Sequence, residues 1–234
     1  MKYYKINKIL EKDNFVIPGV DGKNVKNKEL FFNSGDCDYD KFYSKNYIFD
    51  YLILKNFGDP EPKIFPEELQ DFYRFWGESP SNGLFRIVSK KYKDILENFG
   101  LQKSKFYKAI IKHNGNSHDY YVWQLLTNNH ESYINFNETK FNNLNYSGNS
   151  RIGEKQIKTF KSFNHVIKYA NENWKRAWNF EEIFVYSDFS NIDYCYFTIF
   201  NDIVSEKLKK ALEKAEITGI NFEELPLEIK SSDK

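Results

Sequence analysis

The chain has 234 residues, 41% of them hydrophobic and 18% aromatic, enough to bury a substantial core in one large domain or two small ones. With 34 basic against 33 acidic residues it has no overall field to hold it on phosphate or on an anionic membrane, so a charged partner has to be met by a local patch. No apolar run approaches the roughly 20 residues that span a bilayer, and Cys37 and Cys195 match no paired metal or redox spacing; the expectation is a cytoplasmic protein with free thiols and no disulfide framework.

In chain order, residues 1–60 read as a strand-rich segment: a strand over Tyr3 to Ile9, turns at Pro18-Gly19 and Asp21-Gly22, and the apolar Leu30-Phe31-Phe32. Asp59-Pro60-Glu61-Pro62 is a stiff connector. Pro66-Glu67-Glu68 then opens a predicted helix, since proline presets its own φ and the acids face the positive end of the dipole, with Leu69, Phe72, Tyr73 and Trp76 as its buried stripe. Ile87-Val88 ends a strand, Lys105 to Lys112 forms another, and His113-Asn114-Gly115-Asn116 reverses the chain. The returning strand, Tyr120 to Leu126, is almost continuously apolar and so reads as buried on both faces.

Residues Thr127 to Gly153 are rich in Asn; apart from a short strand at Tyr133-Ile134-Asn135-Phe136 they read as surface, with a flexible loop near residues 138–156. Phe163, Val166, Ile167, Ala170, Trp174, Ala177 and Trp178 keep helical spacing, which predicts a helix from Ser162 to Asn179. Strands are expected at Ile183 to Tyr186 and Tyr194 to Phe200, and a frayed tail from Glu228. The expected fold class is α+β, with antiparallel or mixed sheets and packed helices, in which residues 61–234 form one domain and residues 1–60 pack with it as one compact unit.

One pattern occurs twice. Ile87-Val88-Ser89 leads a helix carrying Tyr92, Ile95, Leu96 and Phe99 and then Phe106; Ile203-Val204-Ser205 leads a helix carrying Leu208, Ala211, Leu212 and Ala215 and then Phe222, at a constant offset. Each serine hydroxyl can accept from a free N–H of the first helical turn and so marks strand end and helix start. The result is two strand-cap-helix-strand units, by duplication or by shared local structure.

Catalytic motifs are sparse. Asp36, Asp38 and Asp40 alternate as in a calcium loop, but the positions that need glycine and a bidentate glutamate hold Lys41 and Tyr47. His113, His118, His130 and His165 have no zinc spacing, and no nucleophile elbow, phosphate loop or dinucleotide turn occurs, so no cofactor is expected. Cys195, between Tyr194 and Tyr196, reads as a packing thiol rather than a nucleophile. The clearest local bias is in charge: from Ala177 to Glu206 there is no Lys or Arg, whereas Glu181, Glu182, Asp188, Asp193, Asp202 and Glu206 are acidic, with Tyr186, Tyr194 and Tyr196 interleaved. Glu181, Glu182, Tyr186, Asp188, Asp193, Tyr194 and Tyr196 form a candidate docking patch for a basic protein partner, where aromatics supply area and carboxylates steer approach; the alternative is an ordinary solvated face. The basic stretch from Arg151 to Arg176 lacks a base-stacking platform, which ranks nucleic acid below protein as a partner.

Three segments carry a family resemblance: Ile87-Val88-Ser89 with its helix, Leu101 and Phe106-Tyr107; Tyr120 to Leu126 followed by Tyr133 to Phe136; and Ile203 to Ala215 closing on Thr218-Gly219-Ile220-Asn221-Phe222. In these the chain, from about residue 60 to 227, resembles the immunity protein eleven family of bacterial polymorphic toxin systems. It departs in register after the hairpin: related sequences open the short strand there with an acid, and here Glu131-Ser132 does not fix where that match begins. The resemblance implies a small cytoplasmic protein that binds a cognate toxin and occludes its active site, with no catalytic residues, cofactor or metal and no membrane partner. The competing expectation is an enzyme, either a metal-assisted hydrolase on Asp36, Asp38 and Asp40 or a modifying enzyme whose groups meet only in three dimensions.

Overall fold

The computed structural model describes residues 2–8, 14–19, 49–56, 69–74, 85–113, 115–125, 133–147, 150–151, 156–172, 176–197, 201–225 and 229–232. In chain order the elements are β1 (Tyr3–Lys8), β2 (Asn14–Gly19), β3 (Phe49–Asn56), β4 (Phe72–Arg74), β5 (Phe85–Ser89), α1 (Lys90–Leu96), β6 (Ser104–His113) and β7 (Asn116–Leu125). They continue with β8 (Lys140–Ser147), β9 (Ser150–Arg151), β10 (Gln156–Lys158), α2 (Phe163–Glu172), β11 (Arg176–Tyr186), a 3-10 turn (Ser187–Asn191), β12 (Tyr194–Phe197), β13 (Asn201–Ser205), α3 (Glu206–Lys214), β14 (Ile220–Glu224) and β15 (Ile229–Ser232). The fold is α+β and rich in strand. Its sheets run β2-β3-β6-β7-β5-β4, β12-β13-β1-β14 and β10-β8-β11-β15 with β9 on β8. Pairing is antiparallel except between β3 and β6 and between β11 and β15. Among the described residues no helix is long and apolar enough to cross a membrane.

The two repeats fold alike. Ser89 and Ser205 each accept from the N–H three residues on, that of Tyr92 at 3.1 Å and that of Leu208 at 3.2 Å, and so open α1 and α3. Each helix lies on a sheet of the same order, β4-β5-β7-β6 in the first unit and β12-β13-β1-β14 in the second. The registers coincide: Val88 pairs with Tyr121 and Phe106 with Trp123, as Val204 pairs with Tyr4 and Phe222 with Ile6. Lys93 Nζ stands over the Phe106 and Tyr121 rings and Lys209 Nζ over the Phe222 and Tyr4 rings, so even the cation-aromatic contacts repeat. The strand after the helix returns as β7 in the first unit. In the second, that place is taken by β1 from the other end of the sequence.

Among the described residues, two apolar clusters involve the second unit. One brings the two helices together between the units: Tyr92, Leu96, Phe72, Val88, Trp123 and Leu125 meet Leu208, Leu212, Ile6, Tyr194, Val204 and Ile220. The other gathers Tyr3, Cys195, Ile203 and Leu225 from the opposite face of the second unit's sheet with Phe141, Phe160, Val166, Phe180, Ile183, Val185 and Phe189. Alternate residues of β1, β12 and β13 therefore enter different cores, which is why Tyr194-Cys195 and Ile203-Val204 are apolar at consecutive positions.

Several expected elements differ. The helix predicted from Pro66 gives way to β4: Phe72 and Tyr73 are both buried but serve opposite faces of a strand paired with β5. Pro66 to Glu68 and Trp76 lie outside the described residues. Pro18 and Gly19 are inside β2, where proline is tolerated because β2 ends its sheet. The flexible loop near 138–156 is instead β8, held between β10 and β11, together with β9 and β10. Tyr133 to Phe136 makes only an isolated bridge, Ile134 to Val185. The helix from Ser162 ends at Glu172, and Ala177 and Trp178 belong to β11. The tail expected to fray holds β15, parallel to β11. Of the described residues before residue 60, β1 completes the second unit, and β2 and β3 extend the sheet of the first.

Candidate functional site

The acidic, tyrosine-bearing stretch divides between surface and interior. On β11, Glu182 accepts from Lys140 Nζ at 2.7 Å and from Lys230 Nζ at 3.0 Å, a bridge across three neighbouring strands. Hydrogen bonds from those two lysines hold its carboxyl below the usual glutamate range. A bulge between Phe180 and Glu182 sets Glu181 apart; it is half-buried and accepts from Asn142 Nδ2 at 3.2 Å. Tyr186 is half-buried at the strand end and Asp188 is exposed in the 3-10 turn, whose Phe189 anchors the turn against Tyr3 at 5.1 Å between ring centres.

The remaining three candidates are structural. Tyr194 is fully buried, its ring 4.5 Å from that of Trp123, and burial pushes its hydroxyl pKa well up, so it has no face to offer a partner. Tyr196 is half-buried, with the Arg86 guanidinium 5.4 Å over its ring. Asp193 is a junction. Its carboxylate accepts from Ser205 Oγ at 2.5 Å and from the Gly100 N–H at 3.0 Å, its own N–H donates to Gly100 O, and its carbonyl accepts from the Ser205 N–H.

Asp71, which sequence reasoning passed over, does the same in the first unit. Its carboxylate accepts from Ser89 Oγ at 2.6 Å and from the Thr218 N–H and Oγ1 at 3.0 and 3.1 Å, its N–H donates to Thr218 Oγ1, and its carbonyl accepts from the Ser89 N–H. Each aspartate thus clamps its own unit's cap to the loop after the other unit's helix. Both cap serines are committed between a helix N–H and a carboxylate, so neither is set up as a nucleophile.

Arg86 and Asp202 form a buried ion pair between the two units. Arg86 Nε and Nη2 donate to Asp202 Oδ2 and Oδ1 at 2.9 and 2.6 Å, a two-pronged pair whose partners are each 1% exposed. Burial opposes the charge on Arg86, but the carboxylate beside it prevails and raises the affinity of the guanidinium for its proton. The spacing carried the signal: the offset that takes Ile87 to Ile203 takes Arg86 to Asp202.

No family model matches the chain, and no curated protein matches it. Among the described residues no three His, Cys, Asp or Glu side chains come together to hold a metal ion. Asp36, Asp38, Asp40 and His130 lie outside the described residues. Cys195 is buried, and that burial pushes its thiol pKa up, as a packing role requires.

Proposed function

We propose that this chain is a cytoplasmic immunity protein that binds a cognate bacterial toxin and blocks its active site. What supports the reading is a coincidence: the segments that carry the family resemblance, around Ile87, Tyr120 and Ile203, are the strands and helices of the two equivalent units and their shared core. The middle segment's continuation, Ile134 to Phe136, joins the second core. A core shared by the two units suits an inhibitor, whose affinity comes from a preorganised surface.

The contact surface is assigned to Glu181, Tyr186 and Asp188, which follow one another along β11 and the 3-10 turn after it, Glu181 and Tyr186 half-buried and Asp188 exposed. Carboxylates beside an aromatic there would steer a basic surface of the toxin. Co-expression of the tagged protein with the product of the neighbouring gene is expected to give a stable complex and to rescue growth. Reversal of Glu181 and Asp188 to lysine is expected to slow association by about tenfold or more at low salt and by less at high salt. Absence of both complex and rescue removes the immunity reading; a complex with unchanged kinetics in the charge-reversal variant removes only the surface.

A further inference from the structure

Equivalent residues of two related units touch one another only near the axis that relates them, and a contact from i to j is then mirrored by one from the equivalent of i to the equivalent of j. The molecule shows both signs. The helices α1 and α3 meet, and Tyr92 and Leu96 share a cluster with their equivalents Leu208 and Leu212. Asp71 reaches the loop after α3, and Asp193 reaches the loop after α1. Arg86 and Asp202 occupy one position of the repeat and bond to each other.

We infer that the protein is two copies of one self-pairing unit joined in a single chain, and that Arg86 and Asp202 are the device that makes unlike units pair. A first unit set against another first unit would bury arginine against arginine; two second units would bury aspartate against aspartate. Either leaves a charge with no partner in a dry core, whereas a first unit against a second closes the two-pronged bond. The preferred partner of each unit is therefore the other half of its own chain, which linkage holds at high effective concentration, and in exchange the complementary half of a second copy. A further pair of positions carries the same inversion: Lys90 with Asp94 on α1 corresponds to Glu206 with Lys210 on α3.

The test uses the full chain in three variants: Arg86→Asp, Asp202→Arg and the exchange R86D/D202R, followed by urea unfolding and size-exclusion chromatography after refolding. Each single reversal is expected to lower the ratio of folded to unfolded protein by on the order of a thousandfold. The exchange is expected to recover at least half of the lost unfolding midpoint, because the position is equivalent in the two copies. Where the single variants fail to refold alone, refolding them together offers each unit an unlike unit from the other chain and is expected to give a two-chain complex. An exchange variant no more stable than the single reversals overturns the inference, as does a mixture of two refolding-incompetent chains that yields no complex.

Discussion

Ser89 and Ser205 concentrate the local logic of the fold in single side chains. Each hydroxyl accepts from a helix N–H and donates to an aspartate that also holds the other unit's loop, so one atom joins strand, helix and interface. Ser89→Ala and Ser205→Ala are each expected to cost about 1–3 kcal/mol, more than an exposed cap, because the aspartate loses a donor as well. Denaturant unfolding of both variants checks this, and equal losses at the two sites are the expected mark of equivalent roles. The caps were legible in the sequence because capping depends on residues a few positions apart. The aspartates were not, since Asp71 and Asp193 stand at different distances from their serines along the chain and act on loops far away in it.

At the scale of elements, the loops after α1 and α3 are where the two units interlock most tightly. Gly219 has φ +88°, and a Cβ there would stand 2.5 Å from Phe72 O; at Gly100 it would stand 1.8 Å from Asn191 O. Gly219→Ala combines left-handed strain with a backbone clash and is expected to lose about 1–3 kcal/mol or more, and Gly100→Ala is expected to be destabilising through the clash alone. Thermal unfolding of the two variants measures the difference. A second prediction concerns β1, which lies between β13 and β14 and pairs with both. Deleting residues 2–8 is expected to expose two strand edges, unfold the second unit and make α3 sensitive to protease, with a synthetic peptide of residues 2–8 restoring protection. The helical spacing of Phe72 and Tyr73, and the extension of the helix from Val166 to Ala177 and Trp178, read strands as helices. In β4, Phe72 and Tyr73 are both buried, and such a run of consecutive apolar residues satisfies helical and strand patterns alike. Likewise the Asn-rich β8 has poor intrinsic strand propensity, and its pairing with two neighbours overrides that local preference.

Over the whole molecule, the cores are built with hydroxyl-bearing aromatics, which sets the response to alkali. Tyr3, Tyr73, Tyr92, Tyr120 and Tyr194 all have their pKa raised chiefly by burial, Tyr73 to about 12 from an ordinary value of 10.0. The folded state favours their protonated forms, so this contribution to stability is present in full below the unfolded value near 10 and is lost as pH rises through the folded values. Absorbance of tyrosinate at these positions is expected to appear together with loss of the circular dichroism signal, at a pH above the ordinary tyrosine value of 10.0. The sequence by itself determined the α+β class, the hairpin from β6 to β7, the two capped helices and the equivalence of their units, because each rests on short-range periodicity and capping that a few neighbouring residues encode. Only the tertiary structure decided that β1 completes the second unit, that the Asn-rich segment is a central strand, that Tyr194 and Asp193 belong to the interior, and that Arg86 meets Asp202. Those outcomes depend on pairings between distant segments, and the free energy that selects them is the burial and charge neutralisation achieved when the two units close on each other.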